Sequence, residues 1–171
     1  LYLKYLGQEA FGLIGFFTMI STWMMMLDVG LSQTISRESA RLRNSIEELI
    51  EFKLALRSIE SIFFTIALSI SLLVFFYSEE IAQNWLQVES LSLVDVSYCI
   101  ALMGFMFGCK WLISLYKGAL NGFEHQLWVN GFWITTNTLK FVGGFLLIKY
   151  LSQNITIYFS YQFFIFCIEL L

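Results

Sequence analysis

Proline is absent from the 171 residues, histidine occurs once, and charged side chains make up only 13% of the chain. Average usage would put proline near about 5%, so any bend must come from glycine or from polar groups inserted into a helix. The lone His125 excludes catalysis by paired histidines. Cys99, Cys109 and Cys167 lie in apolar runs without CxxC spacing, which supports neither a disulfide framework nor a zinc site. No GxGxxG, Walker or serine-nucleophile pattern occurs, and no enzyme activity, cofactor, metal or nucleic-acid partner is expected. Asn154-Ile155-Thr156 fits a glycosylation sequon, a pattern too short to carry weight.

What fills the chain instead is apolar surface: 58% of the residues are hydrophobic and 18% of the chain is aromatic. A single soluble core of this size could not hide so much, and lipid is the expected solvent. The predicted class is an all-α integral membrane protein, a multi-span helix bundle. Runs free or nearly free of charge predict spans over 10–36, 58–78, 93–116, 126–150 and 157–171, with 1–6 as the tail of a preceding span. The start at Leu1, without a recognisable signal sequence, and the end inside an apolar run are read as those of a fragment.

The linker charges orient these spans. Arg37, Arg41, Arg43, Lys53 and Arg57 follow the first span, whereas Glu79, Glu80, Glu89 and Asp95 follow the second without a base between them. The positive-inside rule then puts the first linker in the cytoplasm, the second outside, and 117–125 in the cytoplasm again. Residues 44–56 read as a peripheral amphipathic helix with Ile46, Leu49, Ile50 and Leu54 toward lipid or protein. The stretch 81–93 reads as its external counterpart, with Trp85 at the interface.

Polar residues inside the spans are the candidate site. Asp28 lies just before the basic cluster; either it ends the span in water, or it takes part in ion binding or bundle gating. On a continuous helix it shares a face with Ser21, Ser32 and Ser39, opposite Arg37. Lys110 lies about 10 Å from the cytoplasmic end of its span, within reach of snorkelling to the interface. Lys140 lies about 21 Å into the fourth span, where an uncompensated lysine costs about 3 kcal/mol. Lys140, Lys110 and Arg37 are read as lining a cationic cavity for an anionic head group, against a structural contact of Lys140 with a carboxylate or helix carbonyls. The face Ser58, Ser61, Thr65 and Ser69 is expected in close helix contact, as are Gly104/Gly108 and Gly143-Gly144. Gly118 and Gly122 are expected to flank a tight turn.

Three places carry a family resemblance: Leu6-Gly7-Gln8-Glu9-Ala10-Phe11-Gly12, then Leu27-Asp28-Val29-Gly30-Leu31 with Arg37, and Lys117-Gly118-Ala119-Leu120-Asn121-Gly122-Phe123-Glu124 with Asn130. In order and spacing they resemble the amino-terminal half of Wzx-type O-antigen or polysaccharide flippases, in the superfamily that includes multidrug exporters. Where Gln8 stands, the family commonly has proline. The resemblance implies two six-helix bundles facing each other in a V, this chain being most of one. It implies transfer of an oligosaccharide on undecaprenyl pyrophosphate across the inner membrane by alternating access, with protons or sodium ions as the coupling ion. The competing readings are a multidrug or cation antiporter of the same superfamily and a membrane-embedded polysaccharide polymerase.

Overall fold

The structure, a computed structural model, describes residues 2–27, 30–42, 45–86 and 91–170. Asp28 and Arg43 therefore lie outside the described residues, as does the side chain of Trp85. Within them the chain is helical, without a strand. The order is α1 (Tyr2–Leu6), α2 (Gln8–Leu27), α3 (Leu31–Arg41), α4 (Ile46–Phe76), α5 (Ser78–Ile81), a π turn (Ala82–Leu86), α6 (Leu93–Gly122), α7 (Gln126–Thr138), a second π turn (Leu139–Gly143), α8 (Gly144–Tyr150) and α9 (Ile155–Leu170).

Among the described residues two helices, α4 and α6, are long and apolar enough to cross a bilayer. Their packing differs. α6 is the centre of the structure and packs most extensively against α4, α3 and α9. Its Val96, Cys99, Ile100, Met103, Met106 and Phe107 meet Phe159 and Phe166 of α9 and Leu13 of α2 in the main core. α4 lies at the periphery and leaves Ile62, Phe64, Leu73 and Phe76 more than half exposed. An apolar face of that extent is unusual on a protein surrounded by water.

The segments expected as a peripheral helix over 44–56 and a span over 58–78 form one helix, α4. Ser45 caps it by accepting a hydrogen bond from the Glu48 N–H at 3.2 Å, and Glu47 and Glu48 complement the positive end of the helix dipole. Its early apolar residues Ile46, Ile50 and Leu54 are exposed, and Phe52 is the one that turns inward, against Phe123 at 5.4 Å between ring centroids.

Other expectations change. The run 10–36 is not one straight helix: α2 ends at Leu27, Gly30 takes φ 99°, and α3 starts at Leu31. That left-handed backbone is open to glycine at little cost and expensive for a residue with a Cβ. The shared face drawn for Ser21, Ser32 and Ser39 on a continuous helix therefore does not exist. The polar face of α4 is also not a packing face. Ser58, Ser61, Thr65 and Ser69 are exposed, and each hydroxyl donates to the carbonyl four residues back, so none needs a neighbouring helix. The close contact runs instead along Ala67, Ser71 and Val74, where a Cβ on Gly104 would lie 2.9 Å from Val74 and one on Gly108 would lie 3.1 Å from Ser71 Oγ. Ser71 Oγ donates to the Gly104 carbonyl at 3.0 Å.

Gly118 and Gly122 do more than border a turn; both press against α3. A Cβ on Gly118 would lie 2.6 Å from the Ser32 carbonyl oxygen, and one on Gly122 would overlap Ser39 and Ser36. The reversal into α7 is made by Glu124, at φ 63°, with its N–H donating to the Asn121 carbonyl and that of His125 to the Leu120 carbonyl.

Candidate functional site

The segment that builds the site is the second π turn. A π turn replaces i→i+4 bonding with i→i+5 and disturbs the carbonyl ladder, so groups released from it need outside partners. Three side chains supply them here. Tyr161 Oη donates to the Leu139 carbonyl at 2.8 Å, Gln162 Nε2 to the Lys140 carbonyl at 2.8 Å, and Tyr2 Oη to the Phe141 carbonyl at 2.7 Å. Gly143 and Gly144 make this approach sterically open. A Cβ on Gly143 would collide with the Tyr161 hydroxyl, and one on Gly144 would lie 3.0 Å from Tyr158 and 3.1 Å from Gln162 Nε2. The paired glycines are packing residues, as expected, and what they pack is the bulge itself.

Lys140 projects from this turn into the bundle, with 8% of its surface exposed. Its Nζ is ion-paired with Glu169 near the end of α9 and lies 3.5 Å from the centroid of the Phe166 ring. Lys110, from α6, sits over the same ring at 5.4 Å and over Phe17 of α2 at 5.1 Å. Two ammonium groups thus lie against one aromatic ring, which stabilises them through its quadrupole. Glu169 neutralises one of the two charges.

These groups line a cavity of about 400 Å³ between α2, α6, α7, the second π turn and α9. Its charged lining is Lys110, Lys117, Lys140 and Glu169, an excess of lysine over acid. Ser21 and Trp111 also line it, and Ser21 Oγ and Trp111 Nε1, both buried, have no hydrogen-bond partner among the described residues. Both atoms are covered by protein and present no surface to the cavity. The ammonium groups of its wall can only donate, so the cavity suits an anion rich in acceptor oxygens.

Lys140 and Lys110 line one cavity, and Lys140 also makes the carboxylate contact that is the structural alternative to a ligand-binding role. Arg37 is not with them: it is exposed and lines an adjoining groove of about 370 Å³ with Ser36, Lys117 and Asn121. Lys117 and Ser114 line both spaces, so Lys117 is the link between Arg37 and the inner lysines. Ser114 is tied across to α3 by a 2.7 Å contact between its hydroxyl and that of Ser32. Two members of the site escaped the sequence reading. Lys117 reads as the end of a span, and Glu169 as part of a terminal apolar run, although it is the one acid in α9. Asp28, the candidate for gating or ion coupling, lies outside the described residues. No protein-family model, no curated protein and no solved structure matches the chain.

Proposed function

We propose that this chain forms most of one six-helix bundle in a multi-pass inner-membrane transporter. The transporter carries an undecaprenyl-pyrophosphate-linked oligosaccharide from the cytoplasmic to the outer leaflet by alternating access, coupled to protons or sodium ions. The observation that carries the reading is the cavity with Lys110, Lys117 and Lys140 on its wall against a single acid, Glu169. Pyrophosphate and sugar oxygens are acceptors, and an anion compensates the excess of lysine. Movement of such a lipid requires no covalent chemistry; it requires a polar path whose affinity differs between two states. The exposed apolar face of α4 supports a lipid surrounding.

Glu169 favours a second reading, a cation or multidrug antiporter, in which its carboxylate receives a cationic substrate when Lys140 lets go. The two separate in cells lacking the full-length gene. Lipid-linked oligosaccharide held on the cytoplasmic leaflet, released by the wild-type gene but poorly by Lys110→Gln, supports the flippase. Normal surface glycan in a strain without a redundant exporter, together with lost drug resistance, supports the antiporter.

A further inference from the structure

A second and larger cavity, of about 920 Å³, lies between α4, α6, α7 and the end of α9. Small-molecule sites span roughly 300–1,000 Å³, so it is large enough for a substantial ligand. Its wall is apolar and aromatic, with Phe64, Leu112, Val129, Phe132 and Trp133 among its members. It does not end blindly: Ile113, Lys117, Trp133 and Glu169 line both this cavity and the one that holds Lys110 and Lys140. Lys117 stands at that junction with its Nζ 4.7 Å from the centroid of the Trp133 ring. The acids on the apolar side are already engaged, Glu60 with Arg57 at 3.0 Å and Glu169 with Lys140. Lys117 is in no ion pair among the described residues.

We propose that the apolar cavity between α4, α6 and α7 holds the hydrocarbon chain of a phosphorylated lipid whose anionic head crosses the Lys117–Trp133 junction toward Lys110. An apolar chamber joined to a cationic one is the complement of an amphiphile; a water-soluble phosphate would leave the chamber empty, and a neutral lipid would leave the lysines uncompensated. The inference deepens the transport reading and rests on it for the choice of a polyprenyl pyrophosphate. It makes the chain a recognised part of the cargo instead of a tail trailing in the bilayer.

The test is equilibrium binding of geranylgeranyl pyrophosphate to the full-length protein in nanodiscs, with inorganic pyrophosphate, geranylgeraniol and phosphatidylglycerol as competitors. The expected result is affinity at least about tenfold above that for inorganic pyrophosphate or geranylgeraniol, with phosphatidylglycerol a poor competitor. Val129→Trp, which fills the cavity, and Leu120→Trp, which narrows it from a position 44% exposed and outside the core, should each abolish that advantage. Lys117→Gln should weaken geranylgeranyl pyrophosphate and leave geranylgeraniol unchanged. Retained tight binding in both tryptophan variants, or affinity no greater than that for inorganic pyrophosphate or geranylgeraniol, would overturn the proposal; displacement by phosphatidylglycerol at equal affinity would overturn the choice of a pyrophosphate head and keep the lipid site. Head-and-chain binding in a protein whose gene proves dispensable for oligosaccharide export would sink the transport reading and leave the lipid site standing. Transport without that binding preference would do the reverse.

Discussion

Lys140, on a π turn, and Glu169, 29 residues later on α9, form an ion pair in which neither side chain is as much as a tenth exposed. Around it stand Phe166, Lys110 and the donors of the cavity wall. Desolvating two charges costs more than an exposed pair could return, so the pair is maintained by the absence of any better partner for either member.

Removal of one partner should therefore cost far more than removal of both. Lys140→Met or Glu169→Leu alone is expected to destabilise the protein by about 3–5 kcal/mol, because each leaves the other charge buried. The double variant should recover most of that loss. Thermal unfolding of the four proteins in detergent, read as a double-mutant cycle, checks this; additive losses would mean that the pair is not coupled.

The π turn should depend on its outside donors. Gln162→Leu leaves the Lys140 carbonyl without its side-chain donor and is expected to cost about 1–3 kcal/mol, whereas Tyr161→Phe, at a less buried site, should cost less. Hydrogen exchange at 139–144 should rise in Gln162→Leu while that of α6 stays constant. Equal protection in wild type and variant would show that the bulge does not need the amide.

Glycine positions should split into two classes. Gly118→Ala places a methyl group against the α3 backbone, and a loss of about 1–3 kcal/mol is expected. Gly131→Ala meets open space on α7 and should gain up to about 1 kcal/mol from helix propensity. A stability ranking in the opposite order would contradict the close approach of α3 to α6.

Gly30 is the joint between α2 and α3, and its φ of 99° makes Gly30→Ala cost about 1–2 kcal/mol even though no atom lies within 4 Å of the added Cβ. Unfolding of Gly30→Ala beside Gly131→Ala separates the backbone effect from the steric one. A neutral Gly30→Ala would mean that the joint relaxes into a continuous helix.

Much of the helical layout is legible in the chain because long apolar runs leave few alternatives, and Lys110 and Lys140 stand out as lone charges within them. The break near Gly30 is not legible, since hydropathy runs on through it and one glycine carries no unique conformation. The π turn has no signature of its own; the adjacent Gly143 and Gly144 mark it only once Tyr158, Tyr161 and Gln162 are seen against them. Glu169 pairs across tertiary distance, which spacing along one helix cannot disclose. Arg37 reads as a companion of the lysines because both are basic, and the turn of α3 puts it in the next groove. The serine face of α4 misleads for a related reason: back-bonded hydroxyls need no partner helix.

The proposed passage of an anionic lipid-linked sugar through the lysine-lined cavity is probed most cleanly at Lys110. Lys140→Ala would strand Glu169 and confuse transport with stability, whereas Lys110 is in no ion pair among the described residues and touches Phe17 and Phe166. The direct measurement is the rate at which the full-length protein, reconstituted in liposomes, moves undecaprenyl-pyrophosphate-linked oligosaccharide between leaflets. The expected result is transport well above that of empty liposomes and a fall of about tenfold in Lys110→Gln, equivalent to roughly 1.4 kcal/mol, at unchanged thermal stability. A wild-type rate no greater than that of empty liposomes, or an equal rate in Lys110→Gln, would contradict it.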